Sequence, residues 1–251
     1  VGNAAGTVAA GNDPRFLPAG TNAGDMLYYN GTAWTSDPFM TRKMSRKITD
    51  FSGTTMPAGL TASSSVSSCV FNTVYAGYFG AARCSTNGTS STAWISVNNG
   101  VSELKTGKAI FHKQTIVIPT LSTAASRFII RVGMSSAGTT GNADPAAGVY
   151  LRYSDSVNSG KFQCVSRNGS AETAVDSGVT VVAGSIYEVE MRINAAASQV
   201  TCFVNGAAAG TVTTNVPATS NSMGIFTNLQ KTVATTAASI YILDWETVIV
   251  K

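Results

Sequence analysis

The sequence predicts an all-β protein: an antiparallel jelly-roll β-sandwich preceded by an extended segment and a short β-hairpin. Two observations carry this expectation. Apolar and polar side chains alternate with a period of two through much of residues 48–251, and Asn-Gly turn pairs recur between the alternating runs. No segment sustains the i, i+3, i+4, i+7 spacing of an amphipathic helix, so helix is expected to be negligible.

Residues 1–22 are rich in Gly and Ala and too poor in large apolar groups to build a core, so they are expected to be extended and ordered by packing against partners. Between Gly24 and Asp37, the run Met26, Leu27, Tyr28, Tyr29 leads through Asn30-Gly31 to Trp34. Asn-Gly tolerates the positive φ of a type I′ turn, and this pattern predicts a hairpin. A lone hairpin is marginal in water. Its aromatic residues therefore call for a surface from elsewhere, most simply the same hairpin in other subunits. A basic stretch, 41–47, with Arg42, Lys43, Arg46 and Lys47, reads first as a solvated linker between two modules, the alternative being attraction to an acidic polysaccharide or a neighbouring subunit. The chain begins at Val1 without an initiator Met and is expected to be part of a longer protein.

The domain proper, 48–251, is read from its alternation. Phe128, Ile130, Val132 and Met134 share one strand face. Val149, Leu151 and Tyr153 share another, with Tyr150 and Arg152 opposite. Tyr187, Val189, Met191 and Ile193 oppose Glu188, Glu190, Arg192 and Asn194; Val200, Cys202 and Val204 oppose Gln199, Thr201 and Phe203. In the last strand Tyr241, Leu243, Trp245 and Ile249 fall on one side, and Ile240, Ile242 and Val248 on the other, so both faces are expected to be buried. Turns are expected at Asn87-Gly88, Asn99-Gly100, Asn168-Gly169 and Asn205-Gly206. Short strands at this spacing mark an antiparallel sandwich or barrel.

Charged residues are 12% of the chain, about half the roughly 25% of an ordinary soluble domain. Small polar residues replace them, a composition suited to proteins that pack repetitively against copies of themselves. The net charge of +4 comes from scarce carboxylates (13) rather than abundant bases (17). Nucleic acid is therefore not an expected partner, since such a surface needs basic residues gathered on one face among stackable aromatics. No stretch approaches the roughly 20 apolar residues of a membrane span, and membrane insertion is not expected. The N-x-S/T matches at Asn30, Asn87 and Asn168 all have Gly next and read as turns.

Cys69, Cys84, Cys164 and Cys202 lack C-x-x-C spacing and His112 is the single histidine, so neither a metal site nor any cofactor is expected. Cys164 and Cys202 read as small buried hydrophobes. Cys69 and Cys84 flank a plausible hairpin and would pair in an oxidising compartment; free thiols are the favoured reading. His112, in Phe111-His112-Lys113-Gln114, reads as part of an exposed strand edge.

Catalysis is not expected. Glycoside hydrolysis uses two carboxyl groups about 5–5.5 Å apart in retaining enzymes and about 6.5–9.5 Å apart in inverting ones. The nearest matches are Glu188 with Glu190 and Asp244 with Glu246, each lacking a third acid. Arg192 follows Glu190 on the same face, where a surface ion pair explains it. Ligand binding calls instead for aromatic rings with a few placed polar groups. Tyr75, Tyr78 and Phe79, among Gly and Ala, and Trp94 are candidate stacking groups, with Trp94 and one Tyr read more readily as core. Tyr150 and Arg152 would line a binding face or a subunit contact. The loop from Ser135 to Ala147, carrying Asp144, is expected to be flexible and to present an exposed tip.

The opening GNAAGTVAAGNDPRF and LPAGTNAGDMLYYNGTAW resemble the segments that precede the tip domains of tailed-bacteriophage tail fibres. The large zone resembles the concanavalin A-like lectin/glucanase sandwich of phage virion proteins. The residues concerned are Asp50-Phe51-Ser52-Gly53 with Met56-Pro57-Ala58-Gly59-Leu60, the run GVYLRYSDSVNSGKFQCVSRNG at 148–169, and the stretch Tyr187 to Pro217. Together the two resemblances cover nearly the whole chain. They imply a virion protein assembled in the host cytoplasm, a homotrimer joined to other tail or capsid proteins. Phe16, Leu27, Tyr28, Tyr29 and Trp34 would make the trimer contacts. The sandwich would bind a host-surface polysaccharide or lipopolysaccharide. The glucanases of the fold carry E-x-D-x-x-E on one strand, and the lectins carry a dense metal-binding loop of Asp, Asn, Glu and His. Neither stands here, so sugar binding would be metal-independent. The alternatives are a capsid decoration or head fibre without a receptor role, and a glycan-cleaving tailspike or glucanase.

Overall fold

β-Branched and aromatic side chains at alternate positions favour extended chain, because they are stiff at χ1 and pack well on a pleated surface. In the computed structural model they do so in every alternating run named above. The structure describes residues 27–29, 34–36 and 44–250, apart from 58, 66, 99–108, 137–142, 219–220 and 222. The chain divides into two compact units, Val1–Met44 with Val250–Lys251, and Ser45–Ile249.

The described residues of the first unit form the expected hairpin: β1 (Leu27–Tyr29) pairs antiparallel with β2 (Trp34–Ser36). Tyr29 stands opposite Trp34, and Asn30-Gly31, where the turn is expected, lies outside the described residues. Phe16 lies outside the described residues, as do the side chains of Leu27, Tyr28, Tyr29 and Trp34.

The second unit is a sandwich of two antiparallel sheets. Across the seven-stranded sheet the order is β12 (Ala171–Thr180), β11 (Lys161–Asn168), β10 (Ala147–Tyr153), β9 (Phe128–Ser135), β16 (Gly224–Lys231), β7 (Trp94–Asn98) and β4 (Thr61–Ser65). Across the eight-stranded sheet it is β15 (Ala207–Val212), β14 (Val200–Val204), β13 (Ile186–Ile193), β8 (Ala109–Val117), β17 (Ser239–Val250), β6 (Tyr78–Thr86) and β5 (Ser67–Tyr75), and β3 (Met44–Asp50) pairs with β17. β9 beside β16 and β8 beside β13 are pairings of segments distant in sequence, as a jelly roll requires. Helix is confined, among the described residues, to one 3-10 turn at Asn158–Gly160, and no helix is long and apolar enough to cross a membrane.

Inner faces of the two sheets meet in one core. Ile130, Val132, Val149, Leu151 and Tyr153 come from one side, and Ile116, Val189, Met191, Val204 and Trp245 from the other, all buried. The last strand departs from strict alternation. Ile240, Ile242 and Trp245 belong to the main core, while Leu243 lies in a separate cluster with Ala81 and Val117. Parity therefore switches between Ile242 and Trp245, and Trp245 does not share a face with Tyr241 and Leu243. The turn at Asn205-Gly206 matches expectation, with Val204 opposite Ala207 and both turn residues at positive φ (51° and 76°). At the other end of that sheet Ala76-Gly77 makes an equivalent turn, with φ of 46° and 89°, between Tyr75 and Tyr78.

Two expectations about the interior are overturned. All four cysteines are bonded, as Cys69–Cys84 and Cys164–Cys202. Cys69 and Cys84 stand directly opposite on β5 and β6. Cys164 on β11 and Cys202 on β14 both point inward from different sheets, so their bond ties the sandwich across its core. His112 is fully buried rather than at an exposed edge. It shares the inward face of β8 with Ile110, Gln114 and Ile116, and alternation carries it inside with them.

Candidate functional site

Alternation that sends Ile130, Val132 and Met134 into the core sends Arg131 and Gly133 to the outer face of the seven-stranded sheet. Register then fixes their neighbours. Arg131 lies between Arg152 and Asn228, and Gly133 between Tyr150 and Phe226. Tyr150, Phe226 and Val165 form a small apolar cluster of their own on this face, with the Tyr150 and Phe226 rings edge to face at 5.8 Å. The glycine between them leaves no room for a side chain, since a Cβ would fall 2.3 Å from the Val149 carbonyl oxygen and 2.7 Å from Met191 Sδ.

Around that apolar patch runs a continuous polar network. Arg131 donates from Nε to Asp144 Oδ1 (2.5 Å) and from Nη1 to Asn228 Oδ1 and Gln230 Oε1 (both 2.9 Å). Arg152 donates to Gln163 Oε1 (3.0 and 3.2 Å) and, through both Nη atoms, to the two oxygens of Glu172 (3.2 and 2.8 Å). Tyr150 Oη and Arg167 Nη1 each donate to Glu172 Oε2 at 3.4 Å, and Arg167 Nη1 stands 4.0 Å from Asp144 Oδ2. Burial, with Asp144 and Glu172 nearby, pushes the Tyr150 phenol up, so it stays a hydrogen-bond donor. Strands thus hold four charged side chains, Arg131, Arg152, Arg167 and Glu172, and Asp144 joins them from the loop before β10, an arrangement suited to a preorganised recognition surface.

Three of the residues singled out from sequence, Asp144, Tyr150 and Arg152, meet in this network. Asp144 is not at a loop tip: it folds back onto Arg131, and the neighbouring Pro145 sits against Gly148. Tyr150 faces away from the core as expected, yet it is fully buried. Trp94 is half-buried on the same outer face, opposite Gln230. Tyr78 is on the other sheet, 45% exposed at the end of the Ala76-Gly77 turn, and does not join them. The Tyr75 ring packs on Tyr241 (4.7 Å), and Phe79's side chain lies outside the described residues. Sequence reading missed Arg131, Arg167, Glu172, Asn228 and Gln230. The available signal was Arg131 itself, a charge inside the apolar run Phe128–Met134 at the parity opposite the core.

The two acid pairs belong to the outer face of the eight-stranded sheet. Lys113 donates to Glu188 (3.0 Å), a bond that raises the lysine's pKa. Arg192 pairs with Glu190 and lies 4.3 Å over the Phe203 ring. Thr115 donates to Asp244 (3.0 Å). Among the described residues no group of three His, Cys, Asp or Glu side chains gathers as metal ligands would.

Comparison with solved structures places the fold. SO2946 from Shewanella oneidensis MR-1, a protein of unknown function, superposes with a TM-score of 0.59 at 16% identity, over 82% of this chain and 87% of that one. The Emp47p carbohydrate recognition domain gives 0.54 at 12% identity, over 85% and 98%. The Bacillus licheniformis β-glucanase gives 0.50 at 15% identity, over 80% and 96%. At these identities the likeness speaks for the fold alone, a lectin/glucanase jelly roll. No curated protein sequence matches the chain. Residues 75–244, about two thirds of the sequence, match the family described as SO2946-like, C-terminal domain, and the chain belongs to that family.

Proposed function

We propose that the protein is a virion structural component, a trimeric bacteriophage tail fibre, and that its sandwich binds a host-surface glycan without cleaving it. One observation carries the binding half of this reading: Asp144, Tyr150 and Arg152 converge with Arg131, Arg167 and Glu172 on one sheet face. Planar guanidinium, amide and carboxylate groups gathered on one face are what recognition of hydroxyl-rich ligands calls for. The fibre half rests on the resemblance of residues 2–34 to segments that wind as trimers. The absence of cleavage is supported by the engagement of Glu188 by Lys113 and of Glu190 by Arg192.

Light scattering on the full chain is expected to report a trimer, and a clean monomer would sink the fibre reading. Purified protein is expected to block phage adsorption to its host. A trimer that never blocks adsorption would instead mark a decoration or head-fibre role. Halo formation on host lawns would overturn the absence of cleavage.

A further inference from the structure

The polar network on the seven-stranded sheet is unbalanced in charge. Three guanidiniums, Arg131, Arg152 and Arg167, face two carboxylates, Asp144 and Glu172, leaving one positive charge in excess. The nearby Lys161 and Asp176 pair with each other (3.1 Å) and do not alter the count. Hydrogen bonding is unbalanced in the same place. Glu172 Oε2 is shared by Tyr150, Arg152 and Arg167 at 3.2–3.4 Å, while Arg167 Nε is buried and has no acceptor among the described residues. Arg167 is therefore the guanidinium whose charge and donors are least engaged. Its side chain retains 22% exposure although Nε is withdrawn from solvent, so a ligand would meet the Nη end of the group.

We infer that this face takes an acidic sugar, and that the sugar's carboxylate pairs with the Arg167 guanidinium. The inference rests on the glycan-binding reading above and narrows its ligand class. A single surplus positive charge matches a singly charged carboxylate better than a phosphate carrying close to two charges. The planar guanidinium fork matches a carboxylate in a bidentate geometry that a neutral hydroxyl cannot supply.

The test is direct binding of the full chain to four immobilised polysaccharides: polygalacturonate, its fully methyl-esterified form, polysialate and neutral dextran. Binding to at least one of the two acidic polymers is expected, and methyl esterification of polygalacturonate is expected to weaken any binding at least tenfold. Arg167→Gln should reduce binding to the acidic polymer 10-fold or more with an unchanged melting curve. Arg167→Lys, which keeps the charge but not the fork, should fall between. Arg83→Gln, at an exposed cation on the other sheet, should bind as the parent does and so excludes a general attraction to net positive charge. Equal binding to dextran and the acids, or acid binding untouched in Arg167→Gln, would overturn the inference and leave glycan recognition standing. Binding to none of the four while the protein still blocks adsorption would overturn it too. Failure on both counts would remove the glycan-binding reading as well.

Discussion

His112 Nε2 lies 2.8 Å from Gln114 Nε2, and the direction of that bond is fixed by its surroundings. Gln114 Nε2 also reaches the Phe226 carbonyl (3.1 Å), which can only accept, and Gln114 Oε1 takes the Thr227 hydroxyl (2.6 Å). The amide nitrogen therefore donates to His112 Nε2, so the imidazole carries its proton on Nδ1 and donates to Thr247 Oγ1 (2.9 Å). A neutral ring is built into the core between β8, β16 and β17.

Burial pushes the His112 pKa down from 6.5 to about 3, against a smaller opposing effect of a backbone hydrogen bond at Glu246. Above pH 6.5 the ring is neutral in both folded and unfolded chains and contributes no pH dependence. Between about 6.5 and about 3 the unfolded chain takes a proton that the folded chain refuses, so stability falls as pH falls, by roughly 5 kcal/mol across the whole window. Denaturant unfolding of the parent and of His112→Gln from pH 7.5 to 4 isolates this share from that of the carboxylates. The parent should lose more stability than the variant over that range; parallel curves would refute the assignment.

The Cys164–Cys202 bond closes a 38-residue separation between two sheets, whereas Cys69–Cys84 closes 15 within one hairpin. Chain entropy puts their contributions near 4 and 3 kcal/mol, roughly. Alanine replacement of the inter-sheet pair should lower the denaturation midpoint more than replacement of the hairpin pair, because β5 and β6 stay paired without their bond. Cytoplasmic thiols are held reduced. Protein taken from a reducing lysate should accordingly melt lower and gain stability on oxidation. A midpoint indifferent to reductant would contradict both bonds.

Much of the sandwich was legible because alternation is a local property: Phe128–Met134, Val149–Tyr153 and Tyr187–Ile193 lie on the faces their spacing assigns. Alternation names a face but not what covers it. Tyr150 was placed on the outer side and is nevertheless buried, because Phe226 and Val165 arrive there by pairings no local pattern encodes. The same gap hid the disulfide across the core, since Cys164 and Cys202 meet only when two sheets stack. His112 was misread because Phe111-His112-Lys113-Gln114 contains polar groups on both faces, and its inward pair is satisfied by Thr227 and Thr247, far along the chain. Arg131 and Asn228 meet by the β9–β16 register, which no short window of sequence reports.

Gly133 is a position where the site and the fold depend on one missing atom. A Cβ there would fall 2.3 Å from the Val149 carbonyl oxygen and 2.7 Å from the Tyr150 Cα, both backbone or backbone-bound atoms of the neighbouring strand. Gly133→Ala must therefore push β9 from β10, at a cost of roughly 2–4 kcal/mol. Tyr150 and Arg152 would move with the strand. Thermal unfolding is expected to show a clear drop, and an unchanged melting temperature would count against the close approach.

The ion pairs differ in what surrounds them, and stability measurements should rank them accordingly. Lys113–Glu188 leaves its side chains 26% and 41% exposed, and such pairs contribute at most about 1 kcal/mol. Arg131 is 3% exposed and supplies donors to Asp144, Asn228 and Gln230 at once. Replacing it removes those donors from groups already withdrawn from water, and breaking a buried pair this way costs roughly 3 kcal/mol or more. Arg131→Met should thus lower the urea midpoint several times further than Lys113→Met. Salt should separate them as well: 1 M NaCl screens the exposed pair, so Lys113→Met and the parent should converge there while Arg131→Met stays well below both. Equal losses in the two variants would mean that the arginine network is no more withdrawn from solvent than an ordinary surface pair.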